Sequence, residues 1–275
     1  MFDIIIGNPP YVENKKIKNA EFKKKLTKRF KSAYRLFDLS VLFIEKSLEL
    51  LKGQDGCLSM LTTNKFLAAD YGIRIRQLLI NHTELKEITN ISSLPIFGRT
   101  AAYPIIIFLK KALPKANNMV VIKKYEKLNE LNEDSYTESQ LLPQKLIKKI
   151  PASVFPISGQ INLINFLYNN FKTFTESFSD LKIMYRPYGF INWSKHLTNI
   201  SNNPNSKRDL LLIGTGNVGK YHIKFDKPIK IAKKIIPISY FKYKSEFEHI
   251  WEESSSQKLI FREIAKELTW TFDPG

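Results

Sequence analysis

An α/β fold followed by a second, strand-rich α+β domain is predicted by three stretches of this sequence. Ile4-Ile5-Ile6 is a short β-branched run of the kind that fills a parallel strand buried on both faces. Residues 36–51 carry apolar side chains at helical spacing, and an apolar run at 57–62 follows a glycine-containing turn, giving the strand, helix, strand order of a βαβ unit. From Pro151 onward the texture changes to short strand-like runs broken by Gly, Pro and Asn.

The composition sets the outer limits. At 275 residues and 43% hydrophobic content the chain can bury one large core or two modest ones. Its 43 Lys plus Arg against 26 Asp plus Glu leave a formal charge of +17, which favours a polyanionic partner, nucleic acid first, through counterion release. The single cysteine, Cys57, excludes a disulfide framework and points to a reducing compartment. No apolar run is long enough to span a bilayer and no charged-then-apolar leader is present, so a cytoplasmic location is expected.

The first strand ends in Gly7-Asn8-Pro9-Pro10-Tyr11. Two prolines fix φ, remove two backbone donors and hold Asn8 extended, so the carbonyls of this turn are free to accept. Open α/β sheets bind ligands at this carboxyl edge. Ten basic residues then fall between Asn14 and Arg35 (Lys15, Lys16, Lys18, Lys23, Lys24, Lys25, Lys28, Arg29, Lys31 and Arg35) against one acid, Glu21. Their place beside the turn suits a phosphate-contacting loop; a solvated lysine-rich face is the alternative. The helix over 36–51 (Leu36, Leu39, Phe43, Leu48, Leu51) closes at Lys52-Gly53. Cys57 opens the next strand and reads as a buried, inert thiol. Thr63 and Asn64 stand at that strand's end, as pocket wall or as loop cap.

Residues 72–81 read as an amphipathic helix with Ile73, Ile75, Leu78 and Leu79 inward and Arg74 and Arg76 outward. Strands are expected over 85–91 and 103–109, separated by a loop holding Phe97. Pro114 and the polar residues around it mark a boundary. The predicted division is therefore 1–112, a connecting segment 113–150 with one further strand over 119–125, and a second domain 151–275. In the last, a helix over 160–171 has Ile161, Ile164, Leu167, Tyr168 and Phe171 on one face, and strand-like runs lie at 181–185, 189–193, 210–213 and 229–231. Arg262 and Lys266 would share a face if 257–269 is helical.

Asn8-Pro9-Pro10-Tyr11 resembles the catalytic motif of the S-adenosylmethionine-dependent amino methyltransferases. With Phe2 to Gly7 before it, and Asp38-Leu39, Gly56 and Leu58-Ser59-Met60-Leu61-Thr62-Thr63-Asn64-Lys65-Phe66-Leu67 after it, the chain is most similar to the adenine-specific (N6) DNA methyltransferases of fused type II restriction-modification systems. The resemblance implies the C-terminal part of a Rossmann-like methyltransferase sheet followed by part of an α+β target-recognition domain. It implies transfer of a methyl group from S-adenosylmethionine to the N6 of a flipped-out adenine in double-stranded DNA. By resemblance, the Asn8 side-chain oxygen and the Pro9 carbonyl accept the two amino hydrogens, with Pro10 completing the turn, and Tyr11 and Phe97 clamp the base. Asn64 lines its pocket, and Lys15, Lys16, Lys18, Lys23, Lys24, Lys25, Lys28, Arg29 and Lys31 meet phosphates. Two acceptors suit this chemistry because an exocyclic nitrogen is a poor nucleophile until its lone pair is drawn out of conjugation, and the aromatic faces replace the stacking that base flipping removes. No Pro-Cys pair occurs, which disfavours cytosine-C5 chemistry.

The family's cofactor site begins with a glycine-rich strand-turn preceding the Asn-Pro-Pro-Tyr strand, and Asn8 stands seven residues after Met1. Most of that site is therefore expected on a separate N-terminal half, leaving this chain unable to bind S-adenosylmethionine tightly or to methylate alone, with an unpaired sheet edge and an uncovered apolar face. A split enzyme, a fragment of an interrupted gene and a truncated chain stay open as its origin. Two other functions are weighed: a protein glutamine methyltransferase, which shares the turn, and a non-catalytic DNA-binding module. Gly214-Thr215-Gly216-Asn217-Val218-Gly219 matches the dinucleotide fingerprint literally, but Lys220 to Phe225 alternates like a strand where a helix is required, so it reads as a turn. His82, His196, His222 and His249 lack ligand spacing, and no metal is expected.

Overall fold

The computed structural model describes residues 1–96, 103–157, 159–178, 180, 197–231, 234–262 and 265–275. The chain divides into two compact units, Met1–Ser179 and Asp180–Gly275.

The first unit is built on a six-stranded mixed sheet in the order β1-β2-β4-β3-β5-β6. Its strands are β1 (Ile4–Gly7), β2 (Cys57–Thr63), β3 (Glu84–Asn90), β4 (Pro104–Lys110), β5 (Met119–Lys124) and β6 (Glu138–Pro143). Around it lie α1 (Ala20–Arg29), α2 (Leu39–Leu50), α3 (Ile73–His82), α4 (Leu128–Asn132), α5 (Gln144–Lys149), α6 (Ile161–Asn170) and α7 (Phe174–Ser177). β1 and β2 run parallel, with Ile5 opposite Leu58, joined through α2 as a βαβ unit. β4 inserts antiparallel between β2 and β3.

Alternation along the strands puts Leu58, Met60, Ile105, Ile107, Leu109, Ile88, Val120, Ile122 and Leu142 into one buried layer with Val41, Ile44, Ile75, Leu79 and Leu146 of the helices. α2 starts at Leu39 because the Asp38 side chain caps it, accepting from the Ser40 N–H at 2.9 Å. Leu36, expected within the helix, lies outside that cap and is exposed.

Several expectations are corrected. β1 is not buried on both faces: Ile4 is 64% and Ile6 79% exposed, because β1 is an edge strand and the face bearing these residues has no covering layer among the described residues. Residues 113–150 are not a connector, since β5 pairs parallel with β3, β6 pairs with β5, and both complete the first sheet. Arg76 is fully buried. Cys57 is half-buried, its Sγ 3.5 Å from the Asp55 carbonyl oxygen. On α6, Ile161, Ile164 and Tyr168 pack inward as read, whereas Leu167 and Phe171 are exposed.

The second unit is strand-rich. β7 (Ile200–Ser201), β8 (Leu210–Leu211) and β11 (Tyr240–Phe241) form a small antiparallel sheet. β9 (Ile229–Ile231) pairs with β10 (Lys234–Ile236), and β12 (Lys258–Phe261) with β13 (Trp270–Asp273). The short helix α8 (Glu248–Ser254) carries Trp251, and the Arg208 guanidinium stacks 4.2 Å from its ring and 4.1 Å from that of Tyr243. Residues 258–261 form a strand, so Arg262 and Lys266 share no helical face. The runs expected at 181–185 and 189–193 lie outside the described residues. Among those residues, no helix is long and apolar enough to cross a membrane.

Candidate active site

Because β1 and β2 are parallel, Asn8 and Asn64 emerge at the same edge of the sheet. Gly7 packs closely on β2 here: a Cβ there would approach the Met60 Sδ to 2.9 Å, so a larger residue would make the methionine side chain move aside. Asn8 is exposed and Pro9 buried, so the turn is anchored by its proline while its amide side chain faces solvent. The Tyr11 hydroxyl lies 2.8 Å from Asn8 Oδ1 and 3.2 Å from the Leu61 carbonyl oxygen, which holds the ring beside the acceptor. Burial, assisted by the Asp38 carboxylate, pushes the Tyr11 phenol above its ordinary range, keeping it a donor at neutral pH.

Behind this turn the chain is tied to α2. The Leu39 N–H donates to the Val12 carbonyl at 2.9 Å and the Asn14 N–H to that of Phe37 at 2.8 Å. Glu13, Lys15, Leu36, Asp38, Lys65 and Tyr71 line an open recess of about 210 Å³ next to the turn. Lys15 holds the Glu13 carboxyl below its usual range, and burial, with the Asp38 charge, raises the Tyr71 phenol. Asn64 is half-buried; its backbone N–H donates to the Tyr103 carbonyl at 2.8 Å, so the loop leading into β4 reaches this edge. Phe97 lies outside the described residues.

The basic residues fall on three consecutive pieces: Lys15 and Lys16 in a turn, Lys23, Lys24, Lys25, Lys28 and Arg29 on α1, and Lys31 in the loop that follows, with Lys18 between the first two. All are exposed except the half-buried Lys23. Arg29 is committed to a two-pronged pair with Glu49 on α2, and Lys25 pairs with Glu21.

Two residues that sequence reasoning missed fix this architecture. Glu45, buried on α2, accepts the Lys31 N–H at 3.0 Å, the Ser32 N–H at 2.8 Å and the Ser32 hydroxyl, and so pins the end of the basic segment. The Arg76 guanidinium donates to the carbonyls of Phe66, Ala69 and Ala152, stapling the Asn64–Leu67 turn to residues 151–153. Both lie on the buried face of their helices, Glu45 beside Leu42, Ile44 and Leu48 and Arg76 beside Ile75, Leu79 and Ile80, where a charge is ordinarily assigned to solvent.

Among the described residues, β1 opens directly into the proline turn without a glycine-rich strand-to-helix junction, and Gly214–Gly219 leads into a hairpin.

Comparison with known proteins then gives the following. Residues 1–97 match the family model described as Eco57I restriction-modification methylase. The chain is 34% identical over 113 residues to the type II restriction enzyme and methyltransferase RM.Eco57I of Escherichia coli, covering 40% of this chain and 11% of that protein. It is 36% identical over 110 residues to the type II methyltransferase M.BstVI of Geobacillus stearothermophilus, covering 40% and 19%. With M.BanIII of Aneurinibacillus aneurinilyticus the figures are 29% over 151 residues, 55% and 25%. The chain thus spans a quarter or less of the length of these curated relatives. Among solved structures, a type I methyltransferase subunit from Streptococcus thermophilus aligns at 17% identity with a TM-score of 0.41, covering 56% of this chain and 37% of that one. A class I S-adenosylmethionine-dependent methyltransferase from Listeria monocytogenes aligns at 16% with a TM-score of 0.36, covering 48% and 42%.

Proposed function

We propose, from a first segment related to restriction-modification methylases, that this chain carries the base-engaging half of a DNA methyltransferase that methylates adenine at N6 on cytoplasmic double-stranded DNA. The observation that carries the reading is Asn8, exposed at the carboxyl end of β1, whose amide oxygen accepts the Tyr11 hydroxyl at 2.8 Å. Asn8 Oδ1 and the Pro9 carbonyl accept the two hydrogens of the adenine amino group and bias its nitrogen toward a tetrahedral, attacking form. Tyr11 supplies a stacking face, Phe97 the opposing one, and Asn64 part of the wall. The exposed lysines of residues 15–31 neutralise phosphates of the strand from which the base is drawn. S-adenosylmethionine, when bound, supplies the methyl group.

The open face of β1, where Phe2, Ile4 and Ile6 are exposed, receives the polypeptide that brings the cofactor site. Isothermal calorimetry on the chain alone is expected to give no micromolar binding of S-adenosylmethionine; micromolar binding would overturn this assignment. The reaction itself is tested by nucleoside mass spectrometry of genomic DNA from cells expressing the gene in its own locus. N6-methyldeoxyadenosine is the expected product. A methyl group found on cytosine, or on a protein glutamine, refutes the adenine reading.

A further inference from the structure

The glycine-rich stretch at 214–219 is neither a nucleotide cradle nor a loose loop. The Asn217 side chain, 2% exposed, accepts the Gly214 N–H at 2.9 Å and donates to the Lys224 and Lys227 carbonyls at 2.8 and 2.9 Å. Val218 and Ile223 pair antiparallel, and the Gly219 N–H donates to the His222 carbonyl at 2.8 Å, closing a hairpin whose two tip residues are Lys220 and Tyr221. The hairpin is braced from β13, where the Trp270 carbonyl accepts the Tyr221 N–H at 2.8 Å, and by Arg262, whose Nε donates to the Val218 carbonyl at 2.7 Å.

Tyr221 is out of character at this tip. Its φ is 65°, in the left-handed region where turns ordinarily place Gly or Asn. Its ring meets that of Trp270 perpendicularly, centroids 5.1 Å apart at 89°, and the residue stays 64% exposed. A strained backbone that presents an exposed aromatic ring is a feature that folding alone does not select. The Lys220 Nζ lies 5.7 Å from the same ring, and residues 217–234 hold six lysines (Lys220, Lys224, Lys227, Lys230, Lys233, Lys234) against one acid, Asp226.

We propose that this tip is a DNA-contacting element of the second unit: Tyr221 stacks on an unpaired nucleobase or a deoxyribose, while Lys220 neutralises a neighbouring phosphate. The proposal rests on the DNA-directed reading given above and locates a contact outside the Asn8 site. A planar ring with a cation beside it is the pairing that single-stranded and distorted nucleic acid recruits.

Fluorescence anisotropy of the whole chain with a duplex carrying an unpaired base, at several salt concentrations, tests it. Tyr221→Gly removes both the ring and the strain, so its melting temperature is expected to equal or exceed that of the parent while its affinity falls about tenfold. Tyr221→Trp keeps the affinity within about twofold, a face being retained. Lys220→Ala lowers the slope of log affinity against log salt by about one. Parental affinity in Tyr221→Gly, with binding still weakened by alanine at Lys24 and Lys28, overturns the tip alone. A drop in melting temperature for Tyr221→Gly overturns it in favour of a packing role. A parent chain without salt-sensitive DNA binding overturns both the tip and the DNA-directed reading.

Discussion

Alanine at Asn8 is expected to cut N6-adenine methylation by about 10²- to 10³-fold, the loss seen when one positioned hydrogen-bond partner of a transition state is removed. DNA affinity should stay within about twofold, because Asn8 is an exposed, uncharged side chain that meets one base, whereas the lysines of residues 15–31 supply the phosphate neutralisation. The acceptor argument makes a sharper demand of two further variants. Asn8→Asp keeps an acceptor in the same place and should retain far more activity than Asn8→Ala. Tyr11→Phe keeps the ring but deletes the hydroxyl that now engages Asn8 Oδ1 at 2.8 Å, freeing that oxygen for the incoming amino group. Tyr11→Phe is therefore expected to methylate at least as well as the parent, whereas Tyr11→Ala loses the stacking face and about 1–3 kcal/mol of base binding. Equal activity in Asn8→Ala and the parent, read as product per cell genome at matched expression, would remove Asn8 from the chemistry.

The parts of this fold legible in the sequence are those encoded by local pattern. A β-branched triplet gave β1, helical apolar spacing gave α2, and their order gave the parallel pairing with β2. What failed depends on distant neighbours. Whether β1 is buried is decided by what stands at the sheet edge, which Ile4 and Ile6 cannot report. The Pro114 turn has the composition of a linker, yet Met119–Lys124 pairs with β3, some thirty residues earlier in the chain, and no local period records that register. Residues 257–269 mix charged and apolar positions in a way compatible with a helix, and pairing with β13 settled them as a strand up to Phe261. At the candidate site, Asn8, Pro9 and Tyr11 were legible as a motif. The buried charges that hold the surrounding loops were not, because a charge on a helix is assigned to solvent unless its partners are known.

Arg76 gives that last point its largest measurable consequence. Its side chain is 0% exposed, and its three nitrogens reach the carbonyls of Phe66, Ala69 and Ala152 at 2.5 to 3.1 Å. Gly72 makes the approach possible, since a Cβ there would run into both Arg76 and the Phe66 carbonyl. A buried guanidinium in direct contact with carbonyls and with no carboxylate within ion-pair distance among the described residues depends on those dipoles to replace its hydration, and burial, opposed by the nearby Asp70 charge, draws its pKa down from the usual arginine value. Arginine remains charged all the same. Arg76→Ala therefore removes the side-chain donor from the Phe66 and Ala152 carbonyls and leaves a cavity, while the Ala69 carbonyl keeps the Gly72 N–H at 3.0 Å; it is expected to destabilise the first unit by about 3–5 kcal/mol in urea unfolding. Arg76→Lys, with a single ammonium, cannot span all three carbonyls and should fall between the two. In a partly destabilised variant that still folds, the Asn64–Leu67 turn loses its tether before the sheet does, because β2 and β4 stay paired up to Thr63 opposite Pro104. Hydrogen exchange should then quicken at residues 66–72 and 151–155 ahead of β2. An Arg76→Ala protein within about 1 kcal/mol of the parent, with unchanged exchange in both segments, would show that the tether carries no weight.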